Sequence, residues 1–264
     1  MAFRREALDA GAIRLHRAGS GPELLLLHCL GVDHRLWDIA AAGLADDLTL
    51  LSYDFPGHGE TPLSAKPYGI EHLSAQLGGV LSHVGIERAH IAGISLGGLV
   101  AQHFAATQPA RVDKLVLIDT TPRYTDESRR MWAERAAIAR SAGVASLIGG
   151  LLRIWFTDAF VAADPAAVRY VRETLTRCSG EGYSLACEAL AAAELRPLAH
   201  EIKAPTLVVC GEQGIPAFLD AARWLGANIR GARNAWLAPA RHCSVLGQPD
   251  AFRRALHEFL GGRA

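Results

Sequence analysis

Net charge is the first thing missing from this chain. Its 264 residues include 27 basic and 27 acidic side chains, a formal balance of zero. A balanced surface gives no electrostatic reason to expect nucleic acid or an anionic membrane as partner. Lysine is scarce too: Lys66, Lys114 and Lys203 are all there is, and arginine supplies the rest of the positive charge. The five cysteines, Cys29, Cys178, Cys187, Cys210 and Cys243, make no CxxC pair and no metal-ligand spacing. Their odd number argues against a disulfide framework, and Cys29 and Cys210 read as small buried hydrophobes at strand ends. Long apolar runs are absent as well. Leu24–Leu27 is far too short to span a bilayer, and Met1 to Glu6 lack the apolar core of a signal peptide. The expectation is a cytoplasmic protein with a small-molecule partner. No cofactor and no metal are implied, and the oligomeric state is left open.

What is present is apolar: half the residues are hydrophobic, ample for one large core. Short apolar runs alternate with helical stretches. Ala12–His16 reads as an edge strand, followed by strands at Glu23–His28, Leu48–Tyr53, Ala89–Ala92, Val112–Ile118, Pro205–Cys210 and Asn234–Ala238. Helices are predicted at Ile70–Val84 and Asp250–Leu260. The alternation predicts an α/β fold with a mostly parallel, doubly wound sheet. Residues 122–203 break the pattern. Only helical segments stand there, at Met131–Arg140, Ala145–Phe156, Ala166–Arg177 and Ser184–Leu195. Ligands bind beyond the carboxyl ends of parallel strands, so an all-helical insertion after Asp119 predicts a lid over that crevice. The division expected is a core of residues 1–121 and 204–264 carrying a lid of 122–203.

Gly93-Ile94-Ser95-Leu96-Gly97 joins a predicted strand to a predicted helix. A serine at so sharp a turn is strained and needs small neighbours, which Gly93 and Gly97 supply. Ser95 is therefore the candidate nucleophile. A hydroxyl needs a base to take its proton. His242, after the last strand and before the closing helix, fits the order of serine first and histidine late. His28 and His58 compete from loops at the same sheet edge. A tetrahedral intermediate needs two backbone donors. The amide after the nucleophile, Leu96, is one, and Leu30, in the loop after the Glu23–His28 strand, is the other.

With these residues in view, the chain resembles the α/β-hydrolases, and among them the 3-oxoadipate enol-lactonases. The likeness rests on His28–Gly31, the Asp54–Gly59 turn, Gly93–Gly97, Arg153–Thr157, Gly182–Cys187, Pro205–Val209 and Arg241-His242, and covers nearly the whole chain. It implies an α/β-hydrolase fold and hydrolysis of a small acidic lactone or a related carboxylate-bearing ester or amide. Arg153, Arg123, Arg129 and Arg130 are the candidate carboxylate readers, with Arg153 preferred for its apolar surroundings. Trp155, with Trp132, Phe156 and Phe160, is a candidate pocket wall.

The chain departs from that family at one place. Relatives carry the triad acid three residues after the glycine that ends the Pro205–Cys210 strand. Here Gly211-Glu212-Gln213-Gly214 puts glycine there. Amide for carboxylate in a serine protease triad costs about 10⁴-fold in turnover. Three readings follow. The acid has moved to Asp119, at the end of the strand after the elbow helix; or it is Glu212; or catalysis is impaired. Carbon–carbon bond chemistry and a non-catalytic ligand receptor are the alternatives on the same fold.

Overall fold

The computed structural model describes residues 6–10 and 13–261. The N-terminal residues Met1–Arg5 and the first residue of the expected edge strand, Ala12, lie outside the described residues. The strands are β1 (Glu6–Ala10), β2 (Ile13–Ala18), β3 (Glu23–Leu27), β4 (Thr49–Tyr53), β5 (Ala89–Ile94), β6 (Val112–Ile118), β7 (Thr206–Gly211) and β8 (Arg233–Leu237). They form one eight-stranded sheet in the order β1-β2-β4-β3-β5-β6-β7-β8. The β1/β2 and β2/β4 pairs are antiparallel, and every pair from β4 to β8 is parallel.

The parallel strands are apolar without alternation because both sheet faces are covered. Leu24–Leu27 and Leu115–Ile118 are wholly buried. The cover comes from α1 (Leu36–Ala40), α2 (Ile70–His83) and α3 (Leu96–Thr107), and from elements later in the chain. Helix α2 packs on α3, which lies across β5 and β6.

Between β6 and β7 stand α4 (Asp126–Ala142), α5 (Ile148–Trp155), α6 (Asp158–Ala162), α7 (Ala166–Arg177) and α8 (Gly180–Ala192). Among the described residues the only β pairing there is an isolated bridge between Arg123 and Glu194. Two of these helices begin earlier than their apolar pattern does, because a side chain caps them. Thr125 Oγ1 accepts from Ser128 N at 3.2 Å, starting α4 five residues before Met131. Ser179 Oγ accepts from Gly182 N at 3.1 Å and starts α8 before Ser184. The rest of the core is α9 (Pro216–Asn228), α10 (Ser244–Gly247) and α11 (Pro249–Leu260). Helix α9 carries proline in its first turn, where the missing N–H costs nothing. It packs on β7 and β8. No helix among the described residues is long and apolar enough to cross a membrane.

Parallel pairing sends the carboxyl ends of β3 to β8 to one edge of the sheet. The loops there carry His28–Gly31, Asp54–Gly59, Ser95, Asp119 and Gly211–Gly214, and the helical segment lies over them.

Candidate active site

Ser95 is forced into place from both sides. Its φ of 54° lies in the left-handed region, which serine rarely adopts. A Cβ on Gly93 would sit 2.2 Å from the Gly97 carbonyl oxygen, and one on Gly97 would sit 2.4 Å from the Leu27 carbonyl oxygen. Only glycine fits at either position. The Ser95 amide donates to Ile118 O at 2.9 Å, and its carbonyl accepts from Thr120 Oγ1 at 2.8 Å. Strain of this kind persists only where the surroundings over-determine it.

The Ser95 Oγ lies 3.2 Å from His242 Nε2, within reach to donate its proton. Burial, and then the Arg135 charge, push the His242 imidazole down to about 3, so it is neutral and able to accept. The competing histidines are committed elsewhere. His28 Nδ1 donates to Cys29 O at 2.8 Å, and its Nε2 accepts from Phe55 N at 2.9 Å, tying one loop to the next. His58 Nδ1 donates to Pro56 O at 3.1 Å. Asp54 makes a second tie between these loops, accepting from His34 N and from His34 Nδ1 at 2.9 Å.

Leu30 and Leu96 are buried, and neither amide finds an acceptor among the described residues. Leu96 heads α3, so its N–H has no partner within the helix and adds the positive end of the helix dipole. A cavity of about 460 Å³ opens above Ser95 and His242. Leu30, Trp132, Trp155, Tyr183, Phe218 and Trp224 are among the side chains that give it an apolar wall.

The structure corrects the relocated acid. Asp119 sits at the same sheet edge, but its carboxylate does not touch the imidazole. Its Oδ1 accepts from Gly211 N at 3.0 Å. Its Oδ2 accepts from Ser244 N at 2.9 Å and from Ser244 Oγ at 2.6 Å. Both oxygens are spent holding β7 and the His242 loop together. Burial, opposed by those hydrogen bonds, pushes the Asp119 carboxyl up to about 7. Glu212 is exposed. His242 Nδ1 is left buried with no hydrogen-bond partner among the described residues.

Arg153 is corrected as well. It is exposed on α5 and lines no part of the cavity. Its surroundings look apolar in sequence because α5 buries the opposite face, with Leu151, Leu152 and Trp155. Phe156 and Phe160 stack on each other, with ring centroids 5.2 Å apart, away from the cavity, while Trp132 and Trp155 line it. Arg129 pairs with Asp126, and Arg130 is exposed. Arg123 lines the cavity but is exposed at its edge.

The arginine that sequence reasoning missed is Arg135. It is half-buried in the cavity wall, 4.7 Å over the Trp132 ring, and has no carboxylate partner among the described residues. Ser128, Met131, Trp132 and Arg135 all line the cavity, and that spacing is one face of a helix. The signal was in the sequence, three residues beyond a tryptophan already singled out.

Comparison with known proteins agrees with this geometry. Residues 22–244 match the model of the alpha/beta hydrolase fold family. The chain is 30% identical to the 3-oxoadipate enol-lactonase 2 of Acinetobacter baylyi, over 97% of this chain and 96% of that one. It is 30% identical to the pimeloyl-[acyl-carrier protein] methyl ester esterase of Chromobacterium violaceum, over 93% and 97% respectively. Among solved structures, the enol-lactonase of Burkholderia xenovorans superposes with a TM-score of 0.90 at 32% identity, covering 97% of this chain and all of that one. A strained serine beside a buried imidazole, on this sheet and with these relatives, makes the chain a member of the alpha/beta hydrolase fold family and a hydrolase of ester or lactone bonds.

Proposed function

We propose that the protein hydrolyses a small carboxylate-bearing lactone or ester, of the 3-oxoadipate enol-lactone kind, through an acyl-enzyme on Ser95. His242 Nε2 takes the hydroxyl proton as Oγ attacks the carbonyl carbon. The Leu30 and Leu96 amides donate to the oxyanion. The tetrahedral intermediate collapses, the ring or ester C–O bond breaks, and His242 returns the proton to the leaving oxygen. Water then attacks the acyl group with His242 again as base, releasing the acid and Ser95. Residues 122–203 serve as the lid that keeps bulk water from this step.

Arg135 reads the substrate carboxylate. A guanidinium offers paired donors to a carboxylate, and this one lines a largely apolar cavity and has no carboxylate partner among the described residues. Its charge also lowers the imidazole's affinity for a proton. A bound carboxylate cancels that charge, so the right substrate strengthens its own general base. Asp119 positions the His242 loop through Ser244 and takes no part in proton transfer.

The observation that carries this reading is the 3.2 Å approach of Ser95 Oγ to His242 Nε2 at the floor of a cavity lined by an arginine that has no carboxylate partner among the described residues. The test compares a neutral nitrophenyl ester with a half-ester of a dicarboxylic acid. Fluorophosphonate should label Ser95 one-to-one, and Ser95→Ala should abolish both labelling and turnover. Arg135→Ala should raise KM for the half-ester about tenfold or more and leave KM for the neutral ester unchanged. An unlabelled Ser95 would overturn the acyl-enzyme. Equal KM changes for both esters would overturn the role of Arg135.

A further inference from the structure

His242 is held on three sides by groups that are not carboxylates. Its Nε2 faces Ser95. Its backbone amide points to Ile154 O at 3.5 Å, and the next amide, of Cys243, donates to Trp155 O at 3.0 Å. Against the face of its ring lies Phe218, from the first turn of α9, with ring centroids 4.1 Å apart and planes 33° from parallel. Phe218 is itself 9% exposed, so the stack is sheltered from water.

The fourth side is the buried, unpartnered Nδ1. The charged groups of the packed elements do not fill it. Asp119 from β6 is spent on Ser244 and Gly211, and Glu212 at the end of β7 is exposed. Arg135 from α4 carries the wrong sign. When Ser95 gives up its proton, the imidazolium therefore forms with no protein carboxylate bonded to it among the described residues. The aromatic face lying against the ring attracts a cation, through the negative face of its quadrupole.

We propose that Phe218 is the positioning residue of His242: its ring fixes the plane of the imidazole and stabilises the imidazolium in the place of a triad carboxylate. The inference rests on the acyl-transfer reading above. It also explains how Gly214 is tolerated. The segment Gly211–Gly214 lies against the His242 loop, with Gln213 N donating to Ala240 O at 2.8 Å. A Cβ on Gly214 would meet the Gly211 backbone oxygen at 3.2 Å, a tight contact that a shift of a few tenths of an ångström relieves, and Leu219 Cδ2 at an ordinary 3.9 Å.

The test varies the quadrupole while keeping the shape. Phe218 is replaced by mono-, di- and trifluorophenylalanine, and kcat is measured on a nitrophenyl ester, with melting temperature as the control. Stepwise fluorination should lower kcat in steps, to about a tenth for the trifluoro ring, with KM within about twofold and stability unchanged. Phe218→Leu should lose about tenfold in kcat. Adding Gly214→Asp, which offers a carboxylate, should shrink that loss. A kcat indifferent to fluorination overturns the proposal, as does a loss that appears only in KM. Fluorophosphonate labelling of the wild type separates the two levels. If Ser95 is labelled and fluorination has no effect, Phe218 alone is wrong. If Ser95 is neither labelled nor active, the acyl-transfer reading falls and takes this role with it.

Discussion

The two halves of the proposed catalytic pair are built in opposite ways. Ser95 belongs to the sheet: it stands between β5 and α3, squeezed by glycines and fastened by Ile118 O and Thr120. His242 belongs to a loop that hangs between the core and the helical segment. Its loop is tied downward by Asp119 through Ser244, and upward by the carbonyls that end α5. Ser95 is thus held by a tightly packed glycine turn as well as by hydrogen bonds. His242 is held by hydrogen bonds and one ring stack, which are individually weaker and reversible.

That contrast can be broken from either side. Gly93→Ala attacks the rigid half. Its new methyl would overlap the Gly97 carbonyl at 2.2 Å, with backbone on both sides and nothing flexible to move. We expect a loss of about 3 kcal/mol or more, read as a lower urea midpoint, with no soluble active enzyme at the extreme. If the variant folds with wild-type stability, the elbow is not as tight as described.

Asp119→Asn attacks the lower tie of the base. An amide nitrogen would face backbone N–H donors at Gly211 or Ser244, costing about 2 kcal/mol. The variant also tests a pH dependence. The Asp119 carboxyl is raised from 3.8 to about 7 in the folded state. Its stabilising contribution is therefore complete below about pH 4 and is lost as pH rises through 7. Urea midpoints of the wild type should fall across that window, and those of Asp119→Asn should lack this component. A triad acid would behave otherwise: Asn would leave stability intact and cut kcat by orders of magnitude.

The upper tie gives the smallest effects. The Arg241 guanidinium donates to Arg153 O at 2.7 Å and to Phe156 O at 3.0 Å, and pairs with Asp158 at 3.0 Å. Arg241→Ala should cost about 1 to 2 kcal/mol and lower kcat, because two carbonyls at the end of α5 lose their donor. Asp158→Ala should cost a few tenths of a kcal/mol and leave kcat alone, since that carboxylate is mostly exposed. Equal effects from the two variants would mean that the ion pair matters and the carbonyl bonds do not.

The contrast also sets what could be read from the sequence. Ser95 was legible because its demands are local. A strand, a turn with small residues and a helix fall within one short stretch, and β5 and α3 follow directly. His242 was legible by its place in the chain. Its supports were not, because they come from far along the sequence. Phe218 stands on α9, a helix not anticipated in the stretch after Gly214, although Pro216 in its first turn and the buried Phe218, Ala222 and Leu225 carry the pattern. Asp119 was correctly placed at the sheet edge, but nothing local says which of several nearby donors its oxygens will choose. The substrate arginine was sought at Arg153 because its neighbours are apolar. An exposed side chain on an amphipathic helix has apolar neighbours too, and only the direction of the face distinguishes it from Arg135.

One consequence follows from the bonds between the His242 loop and the end of α5. The amides of His242 and Cys243 point to the last carbonyls of that helix, so the backbone carrying the imidazole is bonded to the helical segment as well as to the sheet. A displacement of α5 would therefore be felt at His242 before it was felt at Ser95, which is bonded only within the sheet layer.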